Sequence, residues 1–309
     1  MKKAIVLLFS VASIWPYAGS SSLEFLNINT DAVYGSLGGS GVAMDGLMQG
    51  IFKNPASISL VHSEYNSLAS YTFYSAASLW TCAFAYREKS VAFVVAGKGM
   101  IYDLIPAGIP YADSFSTNYG AMDMFFTAGV GVPIGEMLSL PFGINLGCSI
   151  GYAYEKLDDV NISAISANAG ITTSFFNNMC GIGAAIQNIG FASSQYEMVH
   201  LPVEAVIGGR FTYKITPEFV LSTLVDTDLA AIAGQAMAVR VGVEGTMYGI
   251  ILLRSGMVFA DHQIDFSVGC GTALNIDKSK VTINYSFSTM AGIEFRQVLQ
   301  VEYAFGKTR

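Results

Sequence analysis

Bulky apolar residues alternate with small or polar ones through most of the chain beyond residue 63. Between Phe142 and Tyr154 the even positions are Phe142, Ile144, Leu146, Cys148, Ile150, Tyr152 and Tyr154. The odd positions are Gly143, Asn145, Gly147, Ser149, Gly151 and Ala153. Side chains of a strand point to opposite faces in turn, so this pattern predicts a strand with one apolar and one small or polar face. The same pattern recurs at 237–244, 264–274, 281–288 and 295–305. Weaker versions occupy 65–75, 79–87, 90–98, 119–132, 161–175, 180–188, 203–213, 219–228 and 248–259. Together they predict about fourteen strands, an even number as a single-chain transmembrane barrel requires. Short turns separate them at 176–178, 214–217 and 275–279, while 99–118 and 189–202 are candidate extracellular loops.

The composition separates a membrane barrel from a soluble sandwich. A sandwich carries Lys, Glu and Arg on its polar face; here that face is mostly Gly, Ala, Ser, Thr and Asn. The 309 residues are 52% hydrophobic and only 13% charged, about half the usual charged share. Lys2 and Lys3 followed by the apolar run Ala4 to Ile14 predict a leader peptide over residues 1–20, with small residues at Ala18-Gly19-Ser20 for cleavage. Beyond it no uninterrupted run suits a spanning helix: the best candidate, Leu79 to Gly97, is broken by Arg87-Glu88-Lys89. An exported, hydrophobic chain without spanning helices crosses a bilayer only as a closed barrel, which pairs every backbone polar group. The expected architecture is therefore all-β: a closed antiparallel transmembrane β-barrel over 63–309, integral to the bacterial outer membrane and in contact with its lipids. Tyr65, Tyr86, Tyr119, Tyr154 and Tyr303 near strand ends suit an interfacial girdle. By parity Cys82, Cys148, Cys180 and Cys270 face lipid as free thiols.

Residues 21–62 do not alternate. Glycine is dense at Gly35, Gly38, Gly39, Gly41 and Gly46, and Asn54-Pro55-Ala56 follows. A dinucleotide fingerprint is excluded, because Met44 stands where the third glycine belongs and no strand precedes it. A compact coil folded as a plug inside the lumen fits better, since irregular backbone at membrane depth must be surrounded by protein or water.

The run "GSLGGSGVAMDGLMQGIFKNPASI" resembles the N-terminal signature of the FadL-like superfamily of outer-membrane barrels, with Gly38, Gly39, Gly41, Asn54, Pro55 and Ala56 as the plug motif. "HLPVEAVIGGRFTY" and "VRVGVEGTMYGIILLRSGM" resemble strands of its PorV and spirochaetal branch. The resemblance implies one of two roles. One is plug-gated diffusion of long-chain fatty acids or other hydrophobic small molecules through the barrel and its wall. The other is a PorV-like barrel that serves as a component of a protein secretion or surface-attachment complex.

Other chemistry finds little purchase. His62, His200 and His262 lack ligand spacing to one another or to cysteine, so no metal site, cofactor or enzymatic activity is expected. The net charge of -7 with no basic tract excludes nucleic acid as a partner. Inside the lumen, parity points Arg210, Arg240, Arg254 and Arg296 inward together with Glu204, Glu244, Asp265 and Glu302. Two roles suit these charges: a self-compensating network anchoring the plug, or a fork accepting a ligand carboxylate.

Overall fold

Fourteen antiparallel strands close on themselves in the computed structural model, which describes residues 23–74, 77–102, 105–106, 118–157, 160–194, 199–229, 237–260, 263–290 and 294–308. The expected leader peptide, most of the 99–118 connection and His262 lie outside the described residues. The barrel strands in chain order are β1 (Ser63–Phe73), β2 (Ala77–Glu88), β3 (Val91–Tyr102), β6 (Ala121–Val132), β7 (Gly143–Leu157), β8 (Val160–Phe175) and β9 (Cys180–Ser194). They continue as β10 (Glu204–Lys214), β11 (Phe219–Asp228), β12 (Ala238–Met247), β13 (Ile251–Ala260), β14 (Gln263–Ile276), β15 (Ser279–Met290) and β16 (Glu294–Thr308). The short β4 (Ile105–Pro106) and β5 (Asn118–Tyr119) pair with each other outside the barrel ladder. Closure comes from β1 pairing with β16, from Ser63 opposite Thr308 to Phe73 opposite Gln297.

The two faces segregate as the alternation predicts. Phe84, Phe93, Val95, Phe126, Ile150, Tyr152, Ile165, Phe266 and Leu299 are exposed on the outer face. Ser70, Thr72, Thr81, Asn145, Ser149, Ser166, Asn284, Ser286 and Gln300 are buried on the inner one. A closed ladder leaves no sheet edge in hydrocarbon, and apolar side chains meet lipid. Cys82, Cys148 and Cys270 are exposed and Cys180 half-buried, all as free thiols. At the closure seam Tyr65 stacks on Phe305 and approaches Tyr86, with centroids 5.1 and 5.3 Å apart, and Tyr303 stacks on Phe305.

Most boundaries shift by one to three residues from the sequence reading, and three of the differences have a local cause. Strand β3 runs to Tyr102, because alternation persists through Lys98 and Met100 (inward) and Ile101 (outward). A buried lysine reads as a strand end when only hydrophobicity is counted. Strand β9 runs to Ser194, so part of the expected 189–202 loop is strand. A bulge sets Asn168 of β8 against Gln187 and Asn188, the latter at φ 58°. The extra residue reverses the inward parity of β9 and hides its continuation. Strand β13 begins at Ile251 rather than 248, since Tyr248 and Gly249 form the preceding turn at positive φ.

Candidate functional site inside the barrel

Residues 23–62 lie against lumen-facing side chains from most of the strands, and most of them are buried. They form 3-10 turns at Glu24–Asn27, Met48–Phe52 and Pro55–Leu60, and one short helix, α1 (Ala32–Ser36). Asp31 caps α1 by accepting the Tyr34 N–H at 2.8 Å. Asn54 caps the last turn, accepting the Ala56 N–H at 3.0 Å, with Pro55 in the first position, where its missing N–H costs nothing.

The sequence-predicted motif residues come together here. Gly38, Gly39 and Gly41 have φ values of 66°, 76° and 133°, which only glycine adopts without strain. The Gly38 N–H donates to Ser267 Oγ at 2.8 Å. Asn54 Nδ2 donates to the carbonyl of Val42 at 2.6 Å and to that of Ile171, on the wall, at 3.2 Å. Facing this segment the wall is glycine. Gly131, Gly147 and Gly170 are cross-strand neighbours on β6, β7 and β8. A Cβ on Gly131 would strike Ile58 and Ser59; on Gly147, the Pro55 backbone; on Gly170, the Asn54 side chain. Gly183 meets Val42, Gly242 and Gly256 meet Leu37, and Gly269 meets Ser36 in the same way. The small inner face thus lets backbone lie directly on backbone.

Charge anchors the rest. Arg210 faces Asp45 at 3.6 Å, and Arg296 donates to the Asn29 carbonyl at 3.0 Å and to Ser288 Oγ at 3.0 Å. These two arginines reach the N-terminal segment. Arg240 instead pairs with Glu204 (3.2 Å) and Asp228, and Arg254 with Glu244 (2.6 Å), all on the wall. The sequence reading did not single out four further groups, Asp226, Lys53, Asp31 and Lys98. Asp226 Oδ2 accepts the N–H groups of Gly41 (2.7 Å) and Val42 (2.9 Å) and faces Lys53 Nζ at 3.9 Å. Lys53 and Asp31 belong to the non-alternating segment, where parity has no meaning. Burial pushes the Asp31 carboxyl up to about 6, and burial with Arg240 nearby pushes Lys53 down. Lys98 on β3 follows the even-inward parity of Ala92, Val94 and Ala96, the signal that could have found it.

The lumen changes character along its axis. A cavity of about 240 Å³ with a mixed lining lies between the segment and β13–β16, with Asn27, Asp265, Ser288 and Arg296 beside Ile28, Val258 and Phe266. At the end carrying the longer connections, Leu79, Met100, Phe125, Ala153, Ile162 and Ala164 of the wall pack with Leu23, Phe25 and Leu26, and Leu201 joins them. Among the described residues there is no cluster of metal-ligating side chains.

No family model and no curated protein matches the sequence. Solved structures share the architecture. CymD, a monoaromatic hydrocarbon channel, superposes with a TM-score of 0.63 at 10% identity, covering 90% of this chain and 98% of its own. The Ralstonia pickettii toluene transporter TbuX gives 0.58 at 13%, covering 89% and 98%. A Pseudomonas aeruginosa FadL homologue gives 0.53 at 8%, covering 93% and 99%. The fold is that of the FadL-like barrels.

Proposed function

We propose that the protein is an outer-membrane channel for hydrophobic small molecules, long-chain fatty acids among them, with residues 23–62 as its plug. The observation that carries this reading is the apolar cluster within the lumen. Water-filled barrels keep a polar interior, whereas Leu79, Met100, Phe125 and Ile162 line this one with hydrocarbon. The superposed barrels of known cargo, described as toluene and monoaromatic hydrocarbon carriers, support it. The secretion-complex role has no comparable support.

A path follows from the wall. The β9–β10 ladder ends at Gln187 opposite Glu204, whereas β9 continues to Ser194 paired with β8. Ligand captured in the apolar cluster would leave toward lipid there, beyond the end of the β9–β10 ladder. Uptake of labelled oleate and of toluene is measured in cells lacking their own transporters, with and without the protein. The expected result is faster uptake of at least one. No gain for either, with a heat-modifiable band confirming a folded barrel, would overturn the proposal.

A further inference from the structure

Six short connections join the strands at the end opposite the longer ones, which makes it the periplasmic end. Turns ordinarily take Gly, Asn, Asp, Ser or Pro. Five of these six instead hold a large apolar side chain in the open: Leu138, Phe176, Ile215, Tyr248 and, at the foot of β14, Ile276. The sixth, at Lys89 and Ser90, is polar. Leu138, Phe176 and Tyr248 are 65%, 75% and 72% exposed, more than Ile150 on the lipid-facing wall at 61%. Phe176 and Tyr248 stand at φ 52° and 54°, where glycine or asparagine would be unstrained. Aromatic side chains kept at left-handed turn tips, with nothing of this chain covering them, point to an occupant outside it.

The depth of the barrel in the bilayer follows from its outer wall. Toward the extracellular end the outward side chains become polar. Tyr152 Oη donates to Ser163 Oγ at 2.9 Å and Tyr154 Oη to Asn161 Oδ1 at 2.8 Å, and the exposed Lys156 follows. From Tyr152 back along β7 the outward residues Ile150, Cys148, Leu146 and Ile144 are apolar, down to Phe142, whose ring lies 6.1 Å from that of Phe175. Ten residues at about 3.4 Å each and a tilt of about 40° give about 26 Å along the axis, against an apolar band of about 25 Å. The lower edge of the hydrocarbon therefore falls at Phe142 and Phe175. Phe176 is the next residue, and Leu138 sits in the turn that leads into Phe142. The tips thus lie level with the glycerol and head groups of that leaflet.

Charge at this rim fits the same level. Of the six exposed lysines among the described residues, Lys89, Lys214, Lys278, Lys280 and Lys307 stand here. Glu88, Glu136, Glu218 and Asp277 stand among them, so the ring is close to neutral and suits zwitterionic phospholipid. Lysine stems can lie along hydrocarbon while the ammonium groups reach the phosphates. We infer that the periplasmic rim is a lipid-docking surface, its turn tips inserted into the head-group layer of the phospholipid leaflet. It continues the lipid-facing wall past the strand ends and fixes how deep the barrel sits. The inference is independent of what the channel carries.

The test uses the mature chain in phosphatidylcholine nanodiscs, which leave both faces open to solvent. Trp80→Phe removes the tryptophan that lies beyond the expected leader. Single tryptophans then replace Leu138, Phe176 or Tyr248 at the rim, Leu146 at mid-wall and Val160 at the opposite mouth. Lipid brominated on chain carbons 6 and 7 should quench each rim tryptophan at least half as strongly as Leu146→Trp. Aqueous iodide should quench each at least threefold less than Val160→Trp. In a second arm, Leu138→Asp, Phe176→Asp and Tyr248→Asp are combined and Ile276→Trp is the reporter; its quenching by brominated lipid should fall at least twofold. A heat-modifiable band checks that each barrel is folded. Rim tryptophans quenched by iodide as freely as Val160→Trp, and not by brominated lipid, would overturn the inference and leave the tips free for a periplasmic protein. Unchanged quenching of Ile276→Trp in the triple variant would show that the tips do not hold the barrel at its depth.

Discussion

Replacing Asp226 by alanine should unseat the plug while leaving the barrel closed. Asp226 is 1% exposed, and its Oδ2 accepts two backbone N–H groups and faces Lys53. Alanine leaves both amides without that acceptor and the buried lysine without its counter-charge. Breaking a buried pair from one side costs about 3–5 kcal/mol; the amide losses overlap with that figure, so it serves for the whole. At 1.4 kcal/mol per tenfold, the population of unseated plug should rise about a hundred- to several-thousand-fold. The β10–β11 and β11–β12 ladders are backbone bonds and survive the substitution. The probe is Ser40→Cys, at a fully buried position next to Gly41, with the four native lipid-facing cysteines changed to alanine. The rate of labelling by a water-soluble maleimide reports local opening. Asp226→Asn keeps an acceptor oxygen but loses the charge, and should fall between wild type and alanine. Labelling of Asp226→Ala within threefold of its parent, in a barrel of normal heat-modifiability, would refute the reasoning.

Gly147→Leu or Gly170→Leu should make the barrel leak small solutes in liposome swelling, because the added side chain must displace Pro55 or Asn54; Gly120→Ala, with open space around it, should not. The Asp31 carboxyl titrates near 6 when seated against 3.8 ordinarily, so seating is strongest below 3.8 and weakens as pH rises to about 6. Labelling at Ser40→Cys, normalised to a free thiol, should therefore increase over that window, and Asp31→Asn should remove the part due to this group. Electrophoretic mobility should be the same with and without reductant, since the outward cysteines carry no disulfide; a shift on reduction would contradict the face assignment.

Period-two alternation made the strand count and the face of every cysteine legible, because lipid outside and close packing inside impose opposite demands on adjacent residues. It failed where a local event breaks the period. The bulge at Asn188 reversed the parity of β9, and the reading of β3 stopped at Lys98 although its parity was continuous. The glycine-rich run and Asn-Pro-Ala stood out in the sequence, but the wall residues they lie against did not. Gly147 and Gly170 looked like any small inner residues until Pro55 and Asn54 were placed on them. The inward arginines were found by parity, yet among them only Arg210 and Arg296 bond or ion-pair with residues 23–62, while Arg240 packs against Gly39 but pairs with wall acids. Register finds the partner of Arg254, since Glu244 stands directly opposite it, but Arg240 pairs diagonally with Asp228, two residues beyond its register partner Asp226.

The distribution of contacts bears on how such a plug could yield. Moving all of residues 23–62 would break the Asp226 and Asn54 bonds, the Arg210 contact, and the Gln300 acceptor bond from the Ala32 N–H. It would also pull backbone from a row of wall glycines. The Leu23–Ile28 turn has weaker ties: the two Lys98 bonds, Leu23 N–H to Glu155, and the Asn27 bonds with Pro202 and Asn188. Net worth per bond is about 0.5–1.5 kcal/mol for the Asn27 bonds and about 1.5–3 kcal/mol for those of Lys98 and Glu155. Leu23 is already held at a left-handed φ of 63°, a conformation unfavourable for its side chain that release would relieve. Displacement of this one turn, with the glycine-seated remainder fixed, is therefore the less costly opening. It uncovers the apolar cluster on the side where the β9–β10 ladder has stopped.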